Sequence, residues 1–310
     1  MGHIHGIHHV TAIAGEPREN LDFYTRVLGM RLVKKSVNQD VPDTYHLFYA
    51  DADGHPGCDL TFFPWPNLGP KRPGHGLAVE VSLAVPAGSL DFWSDRLRSE
   101  QVTVGEIETR FGERTLPVTD PHNQSLTLVE TSDPRESRTW DQSPVPLERQ
   151  IRGLHSVRLL ERELPPTAEF LTKVMGFRAV GEDNGWHRFG ANGGGSGNVL
   201  DVREVPGERR GGWGIGGIHH VAWRVPDDAA QRAAREAIAK AGRRPTEVID
   251  RFWFRSVYFL EPGGVLFELA TDGPGFTIDE SAANLGEQLI LPPWLEPQRH
   301  EIEAALPPLP

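Results

Sequence analysis

The hydrophobic pattern of the chain recurs at a long period. Residues 75–86 (HGLAVEVSLAVP) alternate apolar and polar positions as a strand does, and a stretch with apolar residues at helical spacing follows. Similar pairs of segments open at three other places, each followed by three strand-like runs rich in Val, Phe, Tyr and Leu. The glycines placed to end three of the helices are Gly29, Gly176 and Gly242. The pattern therefore predicts a module of one strand, one helix and three strands (βαβββ).

Direct sequence similarity supports the repeat. GIHHV (6–10) matches GLHSV (153–157), and FYTRVLGMRLV (23–33) matches FLTKVMGFRAV (170–180) at the same offset of 147 residues. A third copy opens with GIHHVAWRVP at residue 217, and the alternating segment at 75 opens a weaker fourth. The sequence predicts an α+β fold of four tandem βαβββ modules. Their approximate ranges are 6–65, 75–131, 152–205 and 216–271.

The modules suggest two domains and a tail. We expect consecutive modules to pair, which gives an N-terminal domain at 1–131 and a C-terminal domain at 152–271. The charged, proline-rich segment 132–150 has the composition of a linker. Residues 272–310 are proline-rich and are expected to form a strap on the surface.

Composition excludes several classes of function. The 310 residues carry a net charge of −11, which disfavours nucleic acid as a partner. No apolar run approaches the roughly 20 residues that a membrane span needs, and the N-terminus lacks the basic and apolar parts of a secretion signal. Cys58 is the single cysteine, so no intramolecular disulfide forms. A cytoplasmic protein is expected.

Thirteen histidines are too many to be ligands together, so position must decide among them. Strand side chains alternate between faces, and we therefore align the first strands of the modules. The ligand position holds His9, Glu80, Ser156 and His220 in turn. The position before it holds His8, Val79, His155 and His219. His9 and His220 are the predicted metal ligands, whereas His155 is out of register.

The third predicted ligand is Glu268, which lies in an apolar strand where an unpaired carboxylate would be costly. Two imidazoles and one carboxylate are the ligand set of non-haem Fe(II) enzymes that activate O2. Three ligands leave room for substrate and O2, which favours a dioxygenase over an isomerase. Glu80 and Asp201 are candidates for a degenerate second site without histidine. The histidines expected to be structural or exposed to solvent are His3, His5, His46, His55, His75, His122, His187 and His300.

Four βαβββ modules over nearly the whole chain resemble the vicinal oxygen chelate superfamily, which includes glyoxalase I and the extradiol dioxygenases. The resemblance implies two half-open barrels with a metal inside. GIHHVTAI, VKKSVNQDVPDTYHLFY (33–49) and DRFWFRSVYFLEPGGVLFELATDGPGF (250–276) look like the ring-cleaving dioxygenases that act on hydroquinones. That likeness implies Fe(II), with Mn(II) as the alternative, and an aromatic diol and O2 as substrates.

The same resemblance implies roles for further residues. Arg251 and Tyr258 resemble pocket residues that contact the substrate hydroxyl or the bound oxygen, and Thr11 shares the strand face of His9 and should line the cavity. His8 and His219 resemble histidines that shuttle a proton or steer O2. Simple alternation places those two on the opposite face, so a twist or a bulge must bring them round. The competing interpretations are an ion pair with Asp250 or another acid for Arg251, and core packing for Tyr258.

Two other functions stay open at this stage. A glyoxalase-type isomerase or lyase would need a fourth metal ligand, and a binding or resistance protein for a small aromatic compound would need no redox-active metal. Trp253 and Phe254 could narrow the pocket, so the size of the substrate cannot be read from the sequence. The ring position that is cleaved, the choice between Fe and Mn and the oligomeric state are also open, and a homo-oligomer is compatible with the sequence.

Overall fold

The computed structural model describes residues 4–132 and 137–310. His3 and residues 133–136 of the expected linker lie outside the described residues. Within them the chain forms four modules in two β-sheets, which confirms the predicted α+β class. Among the helices described here, none is long and apolar enough to cross a membrane.

The first and second modules have similar element orders. The first ends its short helix in a π-helical turn at Phe23–Val27, and its elements are β1 (Ile7–Ala14), α1 (Pro17–Asp22), β2 (Arg31–Asn38), β3 (Val41–Ala50) and β4 (Asp59–Pro64). The second contains β5 (Leu77–Pro86), α2 (Leu90–Ser99), β6 (Thr103–Val104), β7 (Glu108–Arg110), β8 (Glu113–Thr119) and β9 (Ser125–Thr131). Strands β6 and β7 both pair with β8, so together they take the place of one strand.

The third and fourth modules repeat the order. The third contains β10 (Gly153–Glu161), α3 (Leu164–Lys173), β11 (Arg178–Asp183), β12 (Trp186–Gly190) and β13 (Val199–Glu204). The fourth contains β14 (Ile218–Val225), α4 (Asp228–Lys240), β15 (Ile249–Asp250), β16 (Arg255–Leu260) and β17 (Leu266–Thr271). A last helix, α5 (Arg299–Ala305), lies in the tail. The three glycines expected after helices have the left-handed φ values of that position: Gly29 69°, Gly176 77° and Gly242 79°.

The sheets do not pair the modules in chain order. One sheet has the order β15-β16-β17-β14-β1-β4-β3-β2 and joins the fourth module to the first; the other has β11-β12-β13-β10-β5-β9-β8-β6 and joins the third to the second. The expectation that residues 1–131 and 152–271 each form a barrel of consecutive modules is therefore corrected. Repeat similarity shows which strands are alike, but it does not show which strands are neighbours. The connections at 70–75 and 210–215 run side by side through isolated bridges, so the chain passes between the sheets twice.

β-Bulges interrupt the central ladder of each sheet. Between β1 and β14, Ile7 faces Trp223 and His9 faces Ala222, so His8 is an extra residue on β1. Thr11 faces His220 and Ala12 faces Ile218, which makes His219 the extra residue on β14. The β10–β5 ladder has the same shifts, at His155 and Val79. Because of each bulge, the extra residue and the residue after it do not alternate between the two faces of the sheet as residues of a regular strand do.

The tail crosses the first module as a strap. The ammonium group of Lys34, whose side chain is 0% exposed, pairs with Asp279 at 2.6 Å and also with Glu280. Asp279 Oδ2 in turn accepts a hydrogen bond from Trp253 Nε1 at 2.8 Å. Near the end of the chain, Tyr45 Oη donates to the Pro307 carbonyl at 2.9 Å. The strap is thus tied to both modules of the eight-stranded sheet.

Candidate metal centre

The structure brings His9, His220 and Glu268 together inside the eight-stranded sheet. Strand pairing sets His9 beside Ala222 and Ala222 beside Glu268, while His220 faces Thr11 one step along the ladder. The two Nε2 atoms lie 3.2 Å apart, and Glu268 Oε2 lies 3.2 Å from His9 Nε2 and 3.0 Å from His220 Nε2. All three side chains are buried, and they form the one cluster of potential metal ligands found within residues 4–132 and 137–310.

The donor atoms of this cluster fit a cation. Glu268 is 0% exposed, and its Oε2 has no hydrogen-bond donor in the described part of the chain. Its other oxygen accepts from Ser256 Oγ at 2.5 Å. A buried carboxylate oxygen without a donor is costly unless a positive charge meets it. A metal ion between Oε2 and the two Nε2 atoms would meet that need.

His8 fixes the tautomer of His9. His8 Nε2 lies 3.1 Å from the Thr271 carbonyl, which can only accept, so Nε2 carries a hydrogen. Burial lowers the pKa of His8 to about 3, with the charge of His9 as a smaller cause, so the ring is neutral and its Nδ1 is bare. His9 Nδ1, at 2.9 Å, must then donate to His8 Nδ1. The Nε2 lone pair of His9 therefore points at Glu268 and His220, as a metal ligand requires.

His219 makes a similar contact with His220. The two Nδ1 atoms are 2.8 Å apart, and the ring of His219 is stacked on Trp213 with centroids 4.4 Å apart. Burial, with the charge of His220, lowers the pKa of His219 to about 3. The bulges therefore bring His8 and His219 beside the ligands, but behind them. Neither is among the described residues that line the pocket, so their expected roles in shuttling a proton or steering O2 stay predictions.

The surroundings of the cluster favour an ionised Glu268 and a neutral His220. Burial raises the pKa of Glu268, but the imidazoles of His9 and His220 outweigh it and hold that pKa well below its usual value. Burial lowers the pKa of His220. An anionic oxygen and neutral ring nitrogens are the protonation states in which these groups bind metals.

A pocket of about 380 Å³, including its open mouth, leads to the cluster. Its walls are flat aromatic rings, and its polar lining reaches it from both modules. The aromatic members are Phe48, Phe63, Trp253 and Phe254. The polar members besides His9 and His220 are Asn38, Gln39, Asp40, His46, Arg251 and Tyr258. Such a pocket suits one aromatic ring that carries oxygen substituents.

Arg251 and Tyr258 both line the pocket. Tyr258 is the cross-strand neighbour of Glu268, and its ring centroid lies 5.6 Å from that of His220. Burial raises the pKa of Tyr258, so its hydroxyl keeps the proton and can donate it in a hydrogen bond. Arg251 forms a two-pronged ion pair with Asp40, at 2.8 and 3.1 Å, and its guanidinium carbon lies 5.4 Å from the Tyr258 ring. Its acidic partner thus comes from the first module and is not Asp250.

Thr11 takes a different place from the expected one. It is 0% exposed, and its Oγ1 lies 2.9 Å from His220 Nε2 and 2.8 Å from Thr61 Oγ1. Its hydroxyl therefore lies beside the His220 nitrogen that would bind the metal, and Thr11 is not among the described residues that line the pocket. His46 Nε2 continues this chain at 3.0 Å from Thr61 Oγ1 and lines the pocket, a place that the sequence analysis did not foresee. The sequence signal for this position was the strand alternation, which puts His46 on the same face of β3 as the pocket residue Phe48.

The degenerate site of the other sheet is filled by arginines. Asp201 faces Arg158 as Thr61 faces Thr11, so it does not take the place of Glu268. Its carboxylate pairs with Arg188 at 2.7 Å and with Arg158 at 3.4 Å. His155 Nε2 lies 3.0 Å from Glu113 and joins the same network.

Comparison with known proteins agrees with this architecture. The family model described as the glyoxalase/bleomycin resistance protein/dioxygenase superfamily matches residues 6–126 and 153–269. The chain belongs to this superfamily. Maize (Zea mays) glyoxalase I has the same fold, with a TM-score of 0.63 at 16% identity over 86% of this chain and 92% of that chain.

Several relatives are much more similar than maize glyoxalase I. A candidate ring-cleaving dioxygenase of Bacillus subtilis (strain 168), MhqO, is 43% identical over 97% of this chain and 95% of its own length. The chlorohydroquinone/hydroquinone 1,2-dioxygenase of Sphingobium indicum is 33% identical over 96% of this chain and 95% of its own length. The crystal structure of a candidate dioxygenase from B. subtilis has a TM-score of 0.95 at 42% identity, over 100% of this chain and 99% of that chain.

Proposed function

We propose that this protein is a ring-cleaving dioxygenase that uses a mononuclear non-haem Fe(II) centre and O2 to open a hydroquinone- or catechol-type ring. The observation that carries the proposal is the buried set His9, His220 and Glu268 at the end of an aromatic-walled pocket. The names of the similar B. subtilis and S. indicum proteins support the same chemistry.

The three ligands would hold the metal through Nε2 of each imidazole and Oε2 of Glu268. Fe(II) in such a set, with open positions left over, supplies the activation of O2 and the binding of a substrate oxygen. The carboxylate lowers the net charge of the centre, and His8 keeps the imidazole of His9 in its ligating tautomer. Mn(II) accepts the same nitrogen and oxygen donors.

The rest of the pocket would bind and orient the diol. The aromatic walls stack on the ring and exclude water from it. Tyr258 donates a hydrogen bond to the substrate oxygen nearest Glu268, and the cation of Arg251 stabilises that oxygen as a phenolate. One ring carbon–carbon bond beside a hydroxylated carbon then breaks as both atoms of O2 enter the product. The ring supplies the electrons, so no separate reductant is needed.

A glyoxalase-type isomerase or lyase fits the cluster less well. Such an enzyme would take a fourth protein ligand, and no fourth His, Cys, Asp or Glu joins the three within the described residues.

Anaerobic loading with Fe(II), followed by O2 uptake with hydroquinones and catechols, tests the proposal. We expect O2 to be consumed in a one-to-one ratio with the diol, and Glu268→Ala to abolish the uptake. Parallel loading with Mn(II) decides between the two metals. A protein fully loaded with iron that consumes no O2 with any diol would overturn the dioxygenase assignment.

A further inference from the structure

A second cavity lies at the junction of the two sheets. It holds about 610 Å³, including its open mouth, and its lining comes mainly from β5, β10, β14 and the two connections that run side by side. None of the described residues that line this cavity also lines the pocket of the metal centre. The junction cavity can therefore take a ligand of its own.

The body of the junction cavity is apolar. Leu77 and Val79 of β5 line it together with Leu160 and Ile218, and Trp213, which is 44% exposed, completes the wall. Val79 is the extra residue of the bulge in β5, so its side chain does not follow the alternation of the strand. Contact with these side chains favours the apolar part of a ligand over water.

Two cationic groups lie in the wall of the junction cavity. The Lys71 ammonium donates hydrogen bonds of 2.6 Å to the carbonyl of Gly216, which lines the cavity, and to that of Asn123. The Arg72 guanidinium lies against Gly212, another lining residue, because a Cβ added there would overlap its Nη2. The charged ends of both side chains, and not only their stems, are therefore at the cavity.

Neither cation is paired with an acid in the part of the chain that the structure describes, and no Asp or Glu is among the described residues of the lining. Both acceptors of Lys71 are neutral carbonyls, so a third hydrogen of its ammonium stays available. Burial lowers the pKa of Lys71, with the charge of Asp120 as a smaller, opposing cause. An anion in the cavity would supply the missing negative charge.

We propose that the junction cavity is a second ligand site, which binds a small molecule with an apolar body and a carboxylate. The apolar side chains would pack on the body, while Lys71 and Arg72 hold the carboxylate at the wall. A guanidinium can donate to both oxygens of a carboxylate, and an ammonium adds a further donor. The proposal does not depend on the reaction at the metal, so it is tested apart from the proposed function.

Calorimetry on the iron-loaded protein under anaerobic conditions tests this site. Benzoate has a ring and a carboxylate, benzyl alcohol has the ring without the charge, and acetate has the charge without the ring. Val79→Trp fills the cavity, whereas Lys71→Gln and Arg72→Gln each remove one cation. Arg244→Gln is the matched control, because Arg244 is exposed and does not line the cavity. Thermal unfolding of each variant verifies that it is folded.

We expect benzoate to bind at least about fivefold more tightly than benzyl alcohol or acetate, equivalent to about 1 kcal/mol. Val79→Trp should abolish benzoate binding, Lys71→Gln and Arg72→Gln should each weaken it about 3- to 10-fold, and Arg244→Gln should change it less than about twofold. Added salt should weaken the binding of benzoate but not that of benzyl alcohol.

Three results would overturn the proposal. Equal affinities for benzoate and benzyl alcohol would show that the cavity does not recognise an anion. Benzoate binding that survives Val79→Trp would lie elsewhere, including at the metal. Folded wild-type protein that binds no benzoate would have no such site. If Lys71→Gln does not fold, because it loses the contacts with Gly216 and Asn123, Val79→Trp and Arg72→Gln still decide.

Discussion

Arg110 donates a hydrogen bond of 2.8 Å to Glu80. Glu80 occupies in the nine-stranded sheet (the second sheet) the position that His220 occupies in the eight-stranded sheet (the first sheet). The same Nη1 also lies 3.2 Å from Thr127 Oγ1. Thr127 faces Ser82 as Glu268 faces Ala222, so it stands at the position of the carboxylate ligand. A guanidinium supplied by the chain thus lies where the first sheet would hold a metal ion.

One metal ion per chain is the first expectation. The first sheet offers three converging donors, whereas Arg110 already compensates Glu80 in the second. Metal analysis after anaerobic Fe(II) loading should give about one equivalent, and Glu80→Gln should leave it unchanged. His9→Ala should bring it close to zero. Two equivalents in the wild type would show that the second sheet binds metal despite its arginines.

Replacement of His8 should weaken metal binding although His8 is not a ligand. Without its Nδ1 acceptor, His9 is free to carry the hydrogen on Nε2, where the metal must bind. We expect His8→Phe to lower the metal affinity about 10- to 100-fold, as measured by competition with a chelator. His155→Phe is the matched control, because His155 is the bulged histidine of the other sheet and bonds Glu113. Equal effects in the two variants would point to a general loss of stability.

Removal of the Tyr258 hydroxyl should lower activity but not metal content. The hydroxyl stays protonated because burial raises its pKa, and it lies beside Glu268 in the pocket. We expect Tyr258→Phe to reduce kcat/KM for O2 uptake by at least about tenfold, or about 1.4 kcal/mol. Tyr45→Phe is a suitable control, since that hydroxyl bonds the strap. Unchanged kinetics in Tyr258→Phe would assign the tyrosine to packing.

The repeat made much of this architecture predictable. The four modules and the three helix-ending glycines follow from the repeat, His9 and His220 follow from the aligned registers of the first strands, and Glu268 follows from its place in an apolar strand. The sheet order was not predictable in that way, because the first strands of modules one and four resemble those of the other modules, and any pairing would satisfy their alternation. His46 was missed for the same reason. Its approach to Thr61 and His220 depends on which strands lie side by side.

The position of His8 shows a second limit. A one-residue bulge changes the face of a side chain, and the sequence HH-V contains no glycine or proline that would signal it. The one indication of a bulge was a disagreement: strand alternation puts His8 on the face opposite His9, whereas the family resemblance gives it a role near the metal.

Glu161 should make the free energy of unfolding depend on pH between about 4.5 and 9. Its carboxyl group is buried against that of Glu261, which also accepts from Thr167 Oγ1 at 2.7 Å. Burial, and then the charge of Glu261, raises the pKa of Glu161 from 4.5 to about 9. The folded state thus binds a proton that the unfolded chain releases near pH 4.5, so the contribution to stability is complete below that pH and is lost as pH rises towards 9.

The variant Glu161→Gln removes this linkage. Relative to the wild type, its free energy of unfolding should be higher at pH 9 than at pH 5, by at least about 1.4 kcal/mol, the equivalent of one pKa unit. Denaturant unfolding at the two pH values measures the difference. The exposed Glu208 provides a control substitution, Glu208→Gln. A pH-independent difference would mean that the two carboxyl groups do not share a proton.

The strap should support both the stability and the shape of the pocket. Asp279→Ala removes one of two carboxylates from buried Lys34 and the acceptor of Trp253, a pocket wall. We expect a loss of about 1.5–3 kcal/mol in the free energy of unfolding and a higher KM for the diol. Glu296→Ala, which breaks an exposed ion pair with Arg299, should cost less than about 1 kcal/mol. A stable Asp279→Ala variant with unchanged KM would show that Trp253 is held by its other contacts.

The pairing of β1 with β14 has a consequence for synthesis. His9 and His220 are 211 residues apart, so the first ligand leaves the ribosome long before its partner strand exists. During that interval β1 has no neighbour on its β14 side, and an unpaired strand edge of this kind is prone to self-association. Neither half of the chain can assemble the centre alone. Co-expressed fragments 1–131 and 152–310 would restore the centre only if they bind each other. Recovery of metal binding by the two fragments therefore measures the pairing of β1 with β14.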